Sequence, residues 1–260
     1  MTTALVTGAS SGIGAVFADK LAARGYDLVL VARSQDKLEA IAGSLNEQYG
    51  VKTTVIVQDL IAPEASETIF QKLDQQGIEI DVLINNAGFG SYGEFAESEL
   101  NTALNMVQLN ISALVELAYR CLKSMKARQS GSIVNISSTA AFQPIPYFAI
   151  YSASKAFVLS FSESLWYECK PYNIKVLGVC PGPTKTQFFK AADFPDSMEA
   201  SVGQNYDTPE DVVESALKAL DRGDSNVVTG GFNKILVNAN RFLPRELLVN
   251  TVGRMFKAGQ

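Results

Sequence analysis

The chain has 260 residues, 47% of them hydrophobic, with a formal net charge of −5 and a sequence pI of about 4.9. That length is enough for one large α/β domain, or at most two small ones, with a sizeable core and no staples, and an acidic balance without any Lys/Arg-rich run argues against a nucleic-acid partner. There is no histidine, which excludes every mechanism that needs imidazole as base, acid or metal ligand.

Short β-branched runs alternate with longer helical ones along the whole chain. The pattern predicts a strand at Ala4–Val6, a helix at Gly12–Arg24 ended by Gly25, a strand at Leu28–Val31, a helix at Gln35–Gln48, a strand at Thr53–Val57 and a helix at Ala65–Gln75. A strand at Val82–Ile84 leads to one long helix over about Glu99–Lys126. Ser132–Ile136 reads as a strand, Ala149–Glu168 as a helix, Lys175–Val179 as a strand, Pro209–Leu220 as a helix and Val227–Thr229 as a last short strand. Such alternation predicts a doubly wound parallel sheet of about seven strands with helices on both faces, a Rossmann-type fold. Ligands of such sheets bind beyond the carboxyl ends of the strands, so the residues just after each strand are where chemistry is expected.

Thr7-Gly8-Ala9-Ser10-Ser11-Gly12-Ile13-Gly14 follows the first strand and opens the first helix. Gly8, Gly12 and Gly14 permit a tight turn and a close approach of a pyrophosphate, and the helix start offers free N–H groups and a positive dipole end. The alternative is a plain strand-to-helix turn. The same stretch matches Gly-x-Ser-x-Gly, a hydrolase nucleophile elbow, but that reading needs a histidine and is excluded. At the end of the second strand, where an acidic residue would take the ribose 2′-hydroxyl of NAD, the chain has Ala32 and then Arg33. A guanidinium there suits the 2′-phosphate of NADP, so NADP(H) is expected in preference to NAD(H), unless Arg33 is only a solvated surface charge.

Tyr151 and Lys155 stand four residues apart in a predicted helix, on one face and one turn apart. An ammonium beside a phenol, whose ordinary pKa is about 10, should stabilise the phenolate and lower that value. A tyrosine tuned in this way can give a proton to a carbonyl oxygen or take one from an alcohol, and Ser138 would hydrogen-bond the same oxygen. In isolation the pair would read more readily as an ordinary surface Tyr/Lys pair.

Taken in order, these motifs resemble the short-chain dehydrogenase/reductase family from the first strand to about Thr186. The resemblance rests on the glycine-rich turn, Asn85-Asn86-Ala87-Gly88 after the fourth strand, Asn110 in the long helix, Ser138, Tyr151-x-x-x-Lys155, and Pro181-Gly182 with Thr184 and Thr186 after the sixth strand. It implies that Asn110, Ser138, Tyr151 and Lys155 are catalytic, that Lys155 also holds the nicotinamide ribose, and that Asn110 positions a water linking Lys155 to solvent. It further implies cofactor contacts at Gly8, Ser10, Ser11, Gly12, Ile13, Gly14, Arg33, Asp59, Leu60, Asn86, Ala87, Gly88, Tyr151, Lys155, Pro181, Gly182, Thr184 and Thr186, with Asp59 meeting the adenine. The implied activity is hydride transfer between NADP(H) and a carbonyl or alcohol. A non-catalytic NADP(H)-binding regulator on the same fold is the second reading, and the intact Asn110, Ser138, Tyr151 and Lys155 argue against it.

Aromatic residues crowd the segments expected to wall the substrate: Phe89 and Tyr92, then Phe142, Tyr147 and Phe148, then Phe188, Phe189 and Phe194. With Ser138, Tyr151, Phe142 and Phe188 as substrate contacts, they suit a hydrophobic ketone such as an acyl chain or steroid, although each ring could instead pack in the core, and Lys185 could bind an anionic head group. Residues 1–260 are expected to form one catalytic domain, with a lid loop at about 187–207 and a basic C-terminal segment, 232–260. That segment reads most simply as a subunit or core contact; an anionic membrane and an acidic acyl carrier are the other readings. The resemblance implies a homodimer or homotetramer through the two long helices, about Glu99–Lys126 and Ala149–Glu168. Cys121, Cys169 and Cys180 are scattered without a CxxC pattern. No signal peptide is expected in MTTALVTG and no membrane span elsewhere, so a cytoplasmic setting and no metal are expected.

Overall fold

Seven short runs rich in Val, Ile and Leu form the strands of one parallel sheet: β1 (Thr3–Thr7), β2 (Asp27–Ala32), β3 (Thr53–Val57), β4 (Val82–Asn85), β5 (Gly131–Ile136), β6 (Ile174–Cys180) and β7 (Asn226–Val228). Their spatial order is β3-β2-β1-β4-β5-β6-β7, and every pairing is parallel. The computed structural model describes residues 2–195 and 207–257. The order reverses between β1 and β4, so a crevice opens beyond their carboxyl ends.

Helices cover both faces, which is why the central strands are apolar in both directions. Along β1, Ala4 and Val6 point into one layer with Phe17, Leu21, Leu38, Val213 and Leu217, whereas Leu5 points into the other with Ile69, Leu117 and Met125. The first layer is built by α1 (Gly12–Ala23), α2 (Gln35–Tyr49) and α8 (Pro209–Arg222), the second largely by α3 (Ala65–Gln75), α5 (Leu114–Arg128) and α6 (Ala149–Cys169). Local chemistry sets several boundaries. Pro209 opens α8 behind a capping box, in which Thr208 Oγ1 accepts from Asp211 N at 3.1 Å and Asp211 accepts from Thr208 N at 3.1 Å. Gly50 closes α2 with a φ of 69°.

One of the sequence expectations needs correction. The helix expected to run unbroken over Glu99–Lys126 is α4 (Leu100–Val107), a π-helical turn at Gln108–Ala113, and then α5. One residue is accommodated there without leaving helical dihedrals, and the turn contains Asn110. The C-terminal segment, for which the sequence pattern assigned no element, forms α9 (Gly231–Ala239), a 3₁₀ turn at Asn240–Phe242 and α10 (Arg245–Lys257). Of the expected lid, Phe188–Ala191 make one helical turn, α7, while residues 196–206 lie outside the described residues.

A buried polar chain crosses the second layer. Asn85 Nδ2 donates to Asn135 Oδ1 at 3.0 Å and to Leu114 O at 3.2 Å; Asn135 Nδ2 donates to Ser162 Oγ at 3.0 Å, and that hydroxyl donates to Val158 O at 2.6 Å. The chain ties β4 and β5 to α5 and α6.

Candidate active site

The parallel register brings the carboxyl ends of β1 to β4 to one edge, so Gly8, Arg33, Asp59 and Asn86 stand side by side there. Gly8 has a φ of 64° and Gly12 a φ of 55°, conformations that L side chains rarely adopt. A Cβ on Gly14 would lie within 3.0 Å of Gly8 O and Asn86 Nδ2, so the turn admits no side chain. Thr7 Oγ1 accepts from the backbone N–H groups of Asn86 (2.9 Å) and Ala87 (3.0 Å), and Asn86 Nδ2 donates to Thr7 O at 2.9 Å. These bonds lock the two loops together. Ser11 precedes α1 in extended conformation without capping it through its side chain, which leaves the helix N–H groups for an anion.

Arg33 is exposed at the end of β2 and joins no ion pair among the described residues. Asp59, also exposed, accepts from Ile61 N at 3.0 Å, and Leu60 beside it is buried. The loop after β6 arches back over the glycine turn, with the Thr186 Cγ2 methyl 3.3 Å from where a Gly12 Cβ would stand. The bare glycine cradle, the uncapped helix start and the guanidinium beside them fit a dinucleotide: Gly8, Ser10, Ser11, Gly12, Ile13 and Gly14 would hold its pyrophosphate and Arg33 a 2′-phosphate.

The reacting groups lie beyond β5. Ser138 caps a 3₁₀ turn, Thr139–Phe142, accepting from Ala140 N at 3.1 Å. Tyr151 and Lys155 lie on α6, both buried. Lys155 Nζ donates to Ile136 O at 2.9 Å, and the Lys155 carbonyl accepts from Ser137 Oγ at 2.7 Å, so head and backbone of the lysine are both pinned to β5. Nζ lies 5.6 Å from the centroid of the Tyr151 ring. Asn110 Oδ1 accepts from Phe89 N (3.1 Å), while its Nδ2 donates to Phe89 O (3.0 Å) and Ser154 Oγ (3.1 Å). Gly88 completes the group: a Cβ there would meet Asn110 Oδ1 at 3.0 Å and Lys155 Nζ at 3.4 Å.

Burial, rather than the neighbouring ammonium, governs the tyrosine. It pushes the Tyr151 phenol up to about 12, while the hydrogen bond with Ser138 pulls the other way. Burial also lowers Lys155 to about 8, against a smaller opposing effect of Cys180. The expected down-tuned phenol is therefore replaced by one held protonated at neutral pH, a donor in the reductive direction.

The aromatic walls converge. Phe148 stacks on Tyr151 at 4.4 Å between centroids, Phe188 lies 5.2 Å from Tyr151, and Phe194 contacts Tyr92, Phe148 and Phe189 at 4.9–5.2 Å. Phe142, by contrast, is half-buried and outside this cluster. Sequence reasoning missed the far wall: Leu248, Val252 and Phe256 of α10 pack into the same cluster, and Tyr92 Oη donates to Phe256 O at 2.5 Å. The one available signal was the helical spacing of 248, 252 and 256. A separate open groove of about 530 Å³ lies on the outer side of α10, between Glu94–Ala96 and Val249–Lys257. None of Asn110, Ser138, Tyr151 and Lys155 lines it. Among the described residues no cluster of potential metal ligands occurs.

A Rossmann-type sheet with a glycine cradle at the β1 edge and a Ser/Tyr/Lys/Asn group beyond β5 defines a nicotinamide-dependent oxidoreductase. The profile of the short chain dehydrogenase family matches residues 2–195, and the chain belongs to that family. It is 40% identical over 193 residues to the very-long-chain 3-oxoacyl-CoA reductase of Anas platyrhynchos, a match covering 72% of this chain and 61% of that protein, less than two thirds of its length. Among solved structures it resembles a short-chain dehydrogenase from Sphingobium yanoikuyae in complex with NADPH (33% identity, TM-score 0.82, 93% and 94% of the two chains). It also resembles the bulky-bulky ketone specific alcohol dehydrogenase from Comamonas testosteroni (32% identity, TM-score 0.78, 93% and 92%).

The pH dependence of reduction follows from the two buried groups. Lys155 loses its proton as pH rises through about 8, and Tyr151 keeps its own until about 12. With the ammonium as the limiting group, kcat/KM for ketone reduction is expected to be level near pH 6–7 and to fall by about tenfold per unit well above pH 8. A profile that stays level to pH 10 would contradict the assignment.

Proposed function

We propose that this chain reduces the carbonyl of a hydrophobic ketone or 3-oxoacyl ester with NADPH. The observation that carries the reading is the Tyr151 phenol buried inside an aromatic cage, with the buried Lys155 Nζ 5.6 Å from its ring. Bound NADPH would supply a hydride to the carbonyl carbon. Tyr151 gives its Oη proton to the carbonyl oxygen as charge gathers there, and Ser138 Oγ donates a hydrogen bond to the same oxygen. The Lys155 ammonium stabilises the phenolate left behind, and the side chain is held in place by Ile136 O. Phe148, Phe188 and the α10 residues exclude water from the reacting group. The ketone and acyl relatives support the substrate class.

The same reading includes one catalytic domain spanning residues 1–260, a reducing cytoplasmic setting for three free buried thiols, and a homodimer or homotetramer. Exposed Leu100, Leu104 and Tyr119 on α4–α5 and Phe157 and Tyr167 on α6 support association through those helices.

Along a series of 3-oxoacyl esters, kcat/KM should climb about fourfold per methylene until the pocket is full, as expected for about 0.8 kcal/mol per buried CH₂. A flat series would rule out a long apolar pocket. NADPH is expected to be preferred over NADH by at least about tenfold, from the charge-assisted contact of Arg33 with a phosphate. The double change Ala32→Asp, Arg33→Ser should reverse that preference; a higher kcat/KM for NADH in the unaltered protein would refute the role of Arg33.

A further inference from the structure

The helix α9 is apolar on the wrong side. At about 100° per residue, Phe232, Ile235, Leu236 and Ala239 fall within an arc of about 100°, and this arc faces away from the protein. Phe232 is 65% exposed and Ile235 70%. The opposite side carries Val237, buried, and Asn233, whose Nδ2 donates to Thr229 O at 3.0 Å and whose amide would collide with a Cβ on Gly182. The helix is thus docked through Asn233 on Thr229 and on Gly182 of the loop after β6, with Val237 buried on the same side, and its apolar arc is left for something else. The stripe continues into Phe242, 88% exposed, and Leu243. On α10, where Leu248 and Val252 face inward, Leu247 and Met255 face outward.

Charge indicates the occupant. From Phe232 onward the chain has five basic residues (Lys234, Arg241, Arg245, Arg254 and Lys257) against Glu246 alone, so the segment carries +4 and the rest of the chain −9. Lys234, Arg245, Arg254 and Lys257 are exposed, and none joins an ion pair among the described residues. A second copy meeting this segment across a two-fold axis would set exposed Lys234, Arg245, Arg254 and Lys257 near their own like charges. An acidic protein would match the cations but not a stripe of Phe, Ile and Leu at such exposure. An anionic lipid surface matches both, through head groups for the cations and the acyl boundary for the large side chains.

We propose that α9, the Asn240–Phe242 turn and α10 form a peripheral docking face for anionic bilayers, a property separate from the reaction proposed above. The two helices also wall the reacting group: Asn240 hydrogen-bonds Gln143 in the segment after Ser138, and α10 packs into the aromatic cluster around Tyr151. Docking therefore turns the substrate side of the protein toward the membrane, where apolar ketones partition.

Co-sedimentation with sized vesicles tests this without any substrate. The protein is expected to bind phosphatidylcholine vesicles containing about one third phosphatidylserine, to bind pure phosphatidylcholine weakly, and to be released by salt. The exposed triple variant Phe232→Ser, Ile235→Ser, Phe242→Ser should lose at least about tenfold in vesicle affinity with unchanged circular dichroism and unchanged turnover of a short, water-soluble ketone. Lys234→Glu with Arg245→Glu should lose the anionic preference alone. Unaltered protein that stays in the supernatant at low salt would overturn the proposal, as would equal binding to neutral vesicles. So would a triple variant that binds like the unaltered protein, or that becomes smaller by light scattering while its vesicle binding is intact, which would assign the face to a second copy.

Discussion

A buried ammonium at the carboxyl end of a parallel strand organises the working part of this molecule. An unpaired charge in a protein interior is costly, and Lys155 is buried with its Nζ donating to Ile136 O at 2.9 Å. That contact helps to set the rotation of α6 against β5, together with the bonds from Ser137 Oγ to the Lys155 carbonyl and from Asn135 Nδ2 to Ser162 Oγ. Once α6 is fixed, Tyr151 one turn earlier must face the strand ends, with Ser138 beside it. The desolvation that lowers the lysine also raises the tyrosine, so the pair is poised in opposite directions by one environment.

The π-helical turn at Asn110 serves the same centre from the neighbouring helix. A regular helix through Gln108–Ala113 would carry the residues on either side in a different rotational phase. The wider turn lets Asn110 reach the Phe89 backbone and Ser154 together while Leu114 and Leu117 stay in the core. Behind it, the chain from Asn85 through Asn135 to Ser162 couples the strands to both helices, so the reacting group rests on a polar scaffold inside an apolar layer.

Much of this was legible in the residues. Strand and helix positions followed from the switch between period 2 and period 3.6, and β3 and α3 have the expected bounds, Thr53–Val57 and Ala65–Gln75, although Glu64 precedes α3 without a side-chain cap. The glycine turn, Arg33 and the Tyr151/Lys155 pair were readable because each is a local spacing with a local physical reason. The π turn was not, since its dihedrals are helical and no glycine or proline marks it. The direction in which Tyr151 is tuned was not, because its burial depends on Phe188 folding back from the loop after β6 as well as on Phe148 one turn before it. The C-terminal helices were obscured by apolar residues on two faces at once: Leu248, Val252 and Phe256 toward the site, Phe232, Ile235 and Leu247 away from it. Phe142 was expected in the wall on the same grounds as Phe148, yet it belongs to a 3₁₀ turn whose geometry the composition does not reveal.

The account stands or falls on the Tyr151 hydroxyl as the proton donor. Removing that oxygen alone, with Tyr151→Phe, keeps the ring that stacks on Phe148 and leaves the glycine cradle untouched. The direct measurement is turnover of a hydrophobic ketone alongside NADPH affinity read by fluorescence on the same sample. The expected result is a loss of about 10²–10⁴-fold in kcat, the usual worth of a positioned general acid, with NADPH affinity unchanged within about twofold. Turnover near the unaltered rate in a variant that still binds NADPH would contradict the account, because the proton would then come from elsewhere.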